Sequence, residues 1–261
     1  MKSQLLIAAG FVVLLPNLAY KDARAAEVKL LGAVGVREII TELAPQFESA
    51  TGHKLLSTFD ASGRIVQRIT AGEAFDLIIV NKPAIEKLTG TGKVNAASAK
   101  DIASSVVAAA VRKGTPRPDI STAEAFKKAL LDAKSIARPP ATVGGASGDH
   151  IARVLERLGI TAEVNAKSVL SERPDDKSSM PGQLVASGRA ELALHQLQEL
   201  MVVSGLDILG EFPGEFRGGF MFTAVLVANS SEEGAAKSLI EFLRAPEPAK
   251  AIKAIGMAPA N

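Results

Sequence analysis

Short apolar runs alternate along the chain with segments whose apolar residues recur every three to four positions. The runs EVKLLGA (27–33), KLLSTFD (54–60) and FDLIIV (75–80) have the length and composition of strands. Between them, residues 36–52 and 62–72 place their apolar side chains on one helical face. A repeated strand-then-helix order is typical of an α/β protein with a parallel sheet.

A second series of strands and helices follows the first. Residues 105–114 form another apolar strand, and the spacing of Ser121 and Glu124 is that of a capping box, which predicts Ser121 as a helix N-cap. The pattern then predicts a strand at 134–138, helices at 144–159 and 181–188, strands at 190–196, 206–212 and 218–230, and a helical C-terminus at 231–256.

The two series predict two lobes joined by strands. The second series begins near residues 105–113, and the chain returns to the first near 218–227. We therefore expect one lobe from residues 27–107 with 220–261, and a second from residues 108–219. Two lobes connected by strands are suited to hinge motion.

The first 26 residues have the composition of a secretory signal peptide. Lys2 precedes the apolar run LLIAAGFVVLLP (5–16), which is too short to span a bilayer comfortably. The small residues around Ala25 and Ala26 fit a cleavage site. We expect residues 1–26 to be removed and the mature chain to lie in a periplasm, with an uncleaved membrane anchor as the alternative.

Composition excludes several classes of partner. Removal of residues 1–26 takes away three basic residues and one acidic residue, which leaves 27 of each and no basic field for nucleic acid. The chain has no Trp and one Tyr, so stacking platforms for bases or sugars are not expected. It has no Cys, so its core alone must stabilise an exported protein.

Three helix starts share a small-residue turn directly after a strand: GAVGVRE (32–38), DASGRIV (60–66) and GGASGDHI (144–151). In an open α/β sheet, ligands bind at the carboxyl ends of the strands, where these turns lie. Each helix start offers unpaired N–H groups and a partial positive charge. Together the turns predict an anion site, whereas a single such turn is explained by ordinary helix capping.

Arg138 ends the strand at 134–138, on the rim where ligands bind. Its guanidinium would suit a carboxylate or another planar anion. The alternative is a surface arginine beside the proline turn that follows it.

An enzyme has little support in the sequence. The three histidines are His53, His150 and His195, and no motif of a known nucleophile or metal site contains them. Ser147, Asp149 and His150 are neighbours, so an exported hydrolase is an alternative, but such groups usually converge from separate loops. We therefore expect a binding protein and not an enzyme, with no catalytic residue, metal or cofactor.

The whole mature chain resembles the periplasmic solute-binding proteins of ABC importers, in their molybdate-binding-like branch. The stretches that carry the resemblance are LLGAVGVREIITELAPQFESATG, TFDASGRIVQRITAGEAFDLIIV, GGASGDHIARVLERLGI, LVASGRAELALHQLQEL and the C-terminal AAKSLIEFLRAPEPAKAIKAIGMAP. The resemblance implies a two-lobed type II fold of this family. Each lobe would be a mainly parallel sheet flanked by helices, with the ligand between the lobes.

The resemblance also implies where the ligand is held. Ser62 and Ser147 match contact serines of the family, whereas Val34 and Gln196 stand where molybdate binders place a serine and a tyrosine. The predicted ligand-binding residues are Val34, Ser62, Gly63, Arg138, Ser147, Gly148 and Gln196.

The implied function is capture of a small anion for an ABC permease in the inner membrane, by a monomer. Loss of two hydroxyl donors and the added cation of Arg138 make an organic carboxylate as good a candidate as a molybdate-like oxyanion. The alternatives are an extracytoplasmic ligand sensor, an exported hydrolase and a structural envelope protein.

Overall fold

A computed structural model describes residues 25–141, 145–171 and 176–260 of the chain. The predicted signal peptide, apart from Ala25 and Ala26, lies outside these residues, as does Gly144 of the third helix start.

Strands and helices alternate along the described chain. The strands are β1 (Glu27–Ala33), β2 (Lys54–Asp60), β3 (Leu77–Asn81), β4 (Lys100–Arg112), β5 (Ile136–Arg138), β6 (Ser168–Leu170), β7 (Leu192–Gln196), β8 (Leu206–Glu211), β9 (Gly219–Leu226) and β10 (Ala258–Pro259). The helices are α1 (Arg37–Thr51), α2 (Ser62–Thr70), α3 (Lys82–Thr89), α4 (Ala123–Asp132), α5 (Ala146–Leu158), α6 (Thr161–Asn165), α7 (Pro181–Ala186), α8 (Leu197–Met201), α9 (Glu233–Leu243) and α10 (Pro246–Ala254).

The predicted α/β pattern is confirmed, and β1 and β2 have the predicted bounds. Two details differ. The C-terminal segment forms two helices, because Ala245 is extended before Pro246, as residues that precede proline usually are. The sequence pattern also did not predict α3, α6, α8 and β6, because each of these elements is short or lies directly after a strand.

The predicted N-cap of α4 is wrong. The helix begins at Ala123, and Thr122 has the extended backbone of an N-cap. Its side-chain oxygen accepts a hydrogen bond from the Ala125 backbone N–H at 3.1 Å. Ser121 lies one residue too early to reach that group, and its own N–H donates to Asp119.

The first lobe is built on the order β2-β1-β3-β9-β4. The pairs β1–β2 and β1–β3 are parallel, whereas β9 is antiparallel to both β3 and β4. The second lobe places β7 and β8 antiparallel to β4, and adds β5 and β6 parallel to β7. Parallel strands with helical connections therefore flank a pair of antiparallel strands that run between the lobes.

Strand β4 belongs to both lobes. Its first half pairs with β9 as far as Val106, and from Val107 onward it pairs with β7. The cores separate in the same way, since one apolar cluster packs around β1, β3 and β9 and two smaller ones pack on either face of β7 and the second half of β4. The carboxyl ends of β1 and β7 thus face each other across the crossing strands.

Candidate functional site

A partly open cavity of about 60 Å³ lies where the two lobes meet. Its walls come from the turns after β1, β2, β5 and β7, together with the start of α5 and one side chain of β9. The lining residues are Ala33, Val34, Gly35, Ala61, Ser62, Pro139, Pro140, Gly145, Ala146, Ser147, Ser171, Met180, His195, Gln196, Glu199 and Phe222. A cavity needs about 10–15 Å³ of water-accessible volume to hold one water molecule, so this one has room for a small ligand.

Two serine hydroxyls in this wall have no partner among the described residues. Ser62 is the first residue of α2 and Ser147 the second of α5, and both are almost completely buried. Neither serine caps its helix, because the N-caps are Ala61 and Gly145, which make no side-chain cap hydrogen bond. Every fully buried polar side-chain atom of the described residues has a hydrogen-bond partner, so the two hydroxyls keep some accessible surface. Both serines line the cavity, and Ser62 also borders a neighbouring surface groove.

The helix starts therefore supply the polar character of the wall. A helix N-terminus carries N–H groups without intrahelical partners and roughly half a positive charge. The turn after β1 adds a third start, a 3₁₀ turn over Val34–Val36 that leads into α1. The predicted convergence of three helix starts on one site is what the described residues show.

Gly35 lets the first turn approach the second lobe closely. A Cβ atom there would lie 2.5 Å from the Phe222 ring and 2.6 Å from Gln196 Oε1. The Gln198 side chain donates to the Gly35 carbonyl oxygen at 2.8 Å. The lobes thus touch beside the cavity, as in a closed conformation.

Four of the seven predicted binding residues line this cavity: Val34, Ser62, Ser147 and Gln196. Gly63, Arg138 and Gly148 do not. The ligand-binding role of each of the seven stays a prediction.

The Arg138 side chain makes its hydrogen bonds within the second lobe. Its side chain donates to Ser168 Oγ at 2.9 Å and to Asn165 Oδ1 at 2.6 Å. Burial lowers the pKa of the guanidinium. In the described arrangement the arginine ties α6 and β6 to the end of β5 instead of facing the cavity.

The two glycines have different surroundings. Gly148 packs against the proline turn, where a Cβ atom would lie 2.2 Å from the Pro140 carbonyl oxygen. Gly63 lies on a neighbouring surface groove with Arg64, Lys87 and Asp149. Gly148 therefore positions Ser147, because it lets α5 start directly against the turn after β5.

The alternative with Ser147, Asp149 and His150 as a hydrolytic triad does not fit this geometry. His150 Nε2 lies 2.8 Å from the Phe216 carbonyl oxygen, and its ring packs against Phe212 and Phe220. Asp149 is outside the cavity lining. Burial lowers the pKa of His150 and raises the pKa of Asp149.

The sequence analysis missed two ionisable residues of the wall. His195 and Glu199 are both buried, and His195 Nδ1 lies 2.6 Å from Glu199 Oε2. They are four residues apart, with His195 in β7 and Glu199 in α8, and the change of direction between the two elements brings their side chains together. The available sequence signal was a histidine at a strand end with an acid four residues later, which by itself is an ordinary pattern.

The charge of the wall is small. Among the described lining residues, His195 and Glu199 are the only ionisable side chains, and no Lys or Arg lines the cavity. Within the described ranges, no three His, Asp or Glu side chains are grouped to hold a metal ion. An anion in this space would be held by hydroxyls, backbone N–H groups and helix dipoles.

The family profile described as bacterial extracellular solute-binding protein matches residues 28–258. The chain belongs to this family. The predicted family, its two-lobed fold and its role in solute binding are confirmed by this match. Of the helices in residues 25–141, 145–171 and 176–260, none has the length and apolar character needed to cross a membrane.

Individual relatives of this solute-binding protein differ in function. An aconitate isomerase of a Pseudomonas species is 34% identical over 237 residues, which cover 88% of this chain and 87% of the relative. The molybdate-binding protein of Azotobacter vinelandii is 28% identical over 261 residues, covering 97% and 96%. The solved periplasmic molybdate-binding protein of Azotobacter vinelandii superposes with a TM-score of 0.74 at 21% identity, over 90% of this chain and 100% of that one.

Proposed function

We propose that this protein captures a small anion in the cavity between its lobes and delivers it to an ABC permease of the inner membrane. The observation that carries the proposal is the pair of buried hydroxyls of Ser62 and Ser147, which have no partner in the described chain and open into one space. A ligand with acceptor oxygens can accept a hydrogen bond from both hydroxyls at once, and such bonds to a charged acceptor are worth about 1.5–3 kcal/mol each.

The neutral wall supports a ligand held by dipoles. Hydrogen bonds from N–H groups and hydroxyls to an ionised acceptor are stronger than those between neutral groups. Closing the lobes excludes water and strengthens them further. The cavity of about 60 Å³ suits a small oxyanion such as molybdate, or one carboxylate group of an organic acid.

The first experiment is a binding screen on the mature chain. We expect molybdate, sulfate or an organic carboxylate to raise the Tm, since a ligand at a hundred times its Kd stabilises by about 2.7 kcal/mol. Titration calorimetry then ranks the anions. An unchanged Tm with every anion at millimolar concentration would contradict the proposal.

The proposal includes the biological setting. Residues 1–26 act as a cleaved signal peptide, and the mature protein works in the periplasm as a monomer that binds no nucleic acid. The lobes comprise residues 27–107 with 220–261, and 108–219, which is supported by the change of partner along β4 after Val106.

One observation favours a second function, isomerisation of aconitate or a similar unsaturated polycarboxylate. The buried pair His195–Glu199 lies in the cavity wall, and anion capture does not require it. The relative named as an aconitate isomerase covers most of the chain. A tricarboxylate is larger than the described cavity, so this function requires the lobes to stand further apart. Conversion of trans-aconitate to cis-aconitate by the purified protein tests it, and unchanged substrate after prolonged incubation would contradict it.

A further inference from the structure

The His195–Glu199 pair is an unusual component of an anion site. Both side chains are at most 6% exposed, and a carboxylate in the wall repels an anionic ligand. A protein that only binds an anion would do better with an amide at residue 199. We therefore infer that the His195–Glu199 pair has a role other than binding the anion.

Glu199 is held in place by a chain of amides. Gln196 Nε2 donates to Glu199 Oε2 at 3.3 Å, and Gln198 Nε2 lies 3.3 Å from Gln196 Oε1. Ser105 Oγ donates to Gln198 Oε1 at 2.5 Å, which connects the chain to β4. The carboxylate is thus fixed by groups from both the crossing strand and the turn after β7.

The two nitrogens of His195 have different surroundings. Nδ1 is paired with Glu199, whereas Nε2 has no hydrogen bond within the described part of the chain and is not sealed from the cavity. A carboxylate on Nδ1 fixes the tautomer and orientation of an imidazole. Nε2 is then the atom that can take up or release a proton at a ligand.

We propose that His195 Nε2 moves a proton between two carbons of a bound unsaturated polycarboxylate, with Glu199 as the residue that positions the imidazole. The inference deepens the second function above and depends on it. The substrate class has a CH₂ group that lies between a carboxylate and a C=C bond, because that carbon is acidic enough for an imidazole to deprotonate when its negative charge is stabilised.

The step is balanced without a co-reactant. The imidazole removes a proton from the CH₂ carbon, and the electron pair spreads over the three-carbon unit and its carboxylates. The imidazolium returns a proton to the carbon at the other end, and the C=C bond moves by one position. In aconitate both ends carry a carboxylate, so the product has the same connectivity and its new double bond can have the opposite geometry. Ser62, Ser147 and the helix starts stabilise the charge that develops on the carboxylates.

An isotope label tests whether a proton is transferred, and variants test whether His195 transfers it. The substrate is trans-aconitate deuterated at its CH₂ carbon, and NMR follows both its conversion and the position of the deuterium. We expect deuterium to leave the CH₂ carbon as conversion proceeds. In a mechanism that adds a nucleophile to the C=C bond and rotates, the label would stay where it was, and that result would overturn the inference.

Variants test the two assigned roles. We expect His195→Gln to lower kcat by about 10²- to 10⁴-fold, the usual contribution of a general base, while the Kd for trans-aconitate changes by less than about tenfold. Glu199→Gln should lower kcat and shift its pH profile, and Glu199→Asp should recover part of the rate. The matched control is His53→Gln, since His53 lies outside the cavity lining.

The outcomes separate this inference from anion capture. Binding of trans-aconitate by calorimetry without conversion would reject the proton-transfer role and leave the binding function standing. Absence of binding by any anion would reject both. Full conversion by a folded His195→Gln protein would reject the assignment to His195. If a variant does not fold, the label experiment on the unmodified protein still distinguishes proton transfer from addition and rotation.

Discussion

Gln198 donates its side-chain N–H to the backbone carbonyl of Gly35 at 2.8 Å, across the junction of the two lobes. Gln198 is fully buried and also accepts from Ser105 of β4. The contact therefore connects the turn after β1, the crossing strand and the turn after β7. The turns after β1 and β7 both line the cavity, so this junction belongs to the same arrangement that shapes the binding site.

Gly35→Ala should open the junction. The added Cβ atom would lie 2.5 Å from Phe222 and 2.6 Å from Gln196 Oε1, which is closer than real Cβ contacts allow. The lobes must separate or the side chains must move, and overpacking of this kind costs about 1–3 kcal/mol. We expect at least a tenfold weaker Kd for the best anion of the binding screen, measured by calorimetry.

The control for this change is Gly90→Ala. Gly90 has a right-handed helical backbone and nothing within 4 Å of an added Cβ atom. Its affinity should equal that of the unmodified protein. Equal affinity of Gly35→Ala and Gly90→Ala would show that the junction does not control binding.

Ser62→Ala and Ser147→Ala should each weaken anion binding. Each removes one hydroxyl that is open to the cavity and has no partner among the described residues. A hydrogen bond to a charged acceptor contributes about 1.5–3 kcal/mol, so the Kd should rise by about tenfold or more. Stability without ligand should stay the same or increase, since an unpaired buried hydroxyl is lost.

Ser57→Ala is the matched control for the serine changes. Ser57 is an exposed residue of β2 and lies outside the cavity lining. Its Kd should be unchanged. If both cavity variants bind as tightly as the control, the hydroxyls are not ligand contacts.

The sequence was enough to predict the lobes and the helix starts, because both follow from local patterns. A strand buried on both faces, such as β3, is a continuous apolar run. The small-residue turns after β1 and β2 mark where the next helices begin. These features need only the residues within one element. They indicated the turns that contain Ser62 and Ser147, which line the cavity. The family was identified by the resemblance of longer stretches of the chain.

Side-chain direction was beyond the sequence. Arg138 lies at the predicted strand end, but its guanidinium donates hydrogen bonds to Ser168 and Asn165. These partners lie 30 and 27 residues further along the chain. In the sequence, His195 looks like the last part of an ordinary strand and Glu199 like an ordinary acidic residue of a helix. Only the packing of β7 against β4 and of the first lobe against the second makes them a buried pair.

Thr122→Ala should destabilise the protein more than Ser121→Ala. Thr122 supplies the side-chain oxygen that accepts from the Ala125 N–H at the start of α4. Loss of such a cap costs about 1 kcal/mol. Urea unfolding of both variants measures the difference, and an equal or larger loss for Ser121→Ala would contradict the assignment of the cap.

His150 should make the stability of the protein depend on pH. Burial is the main cause of its lowered pKa, and Arg153 and Arg157 lower it further, whereas the hydrogen bond with Phe216 raises it. The folded protein thus favours the neutral ring, and the unfolded chain, with the ordinary value of 6.5, takes up the proton first as the pH falls. Stability is therefore complete above the unfolded value and is lost as the pH falls through the folded pKa. We expect His150→Gln to show a smaller drop in Tm than the unmodified protein between about pH 8 and about pH 5. An identical drop in both proteins would mean that other groups cause the acid sensitivity, since the variant has no imidazole to protonate at this position.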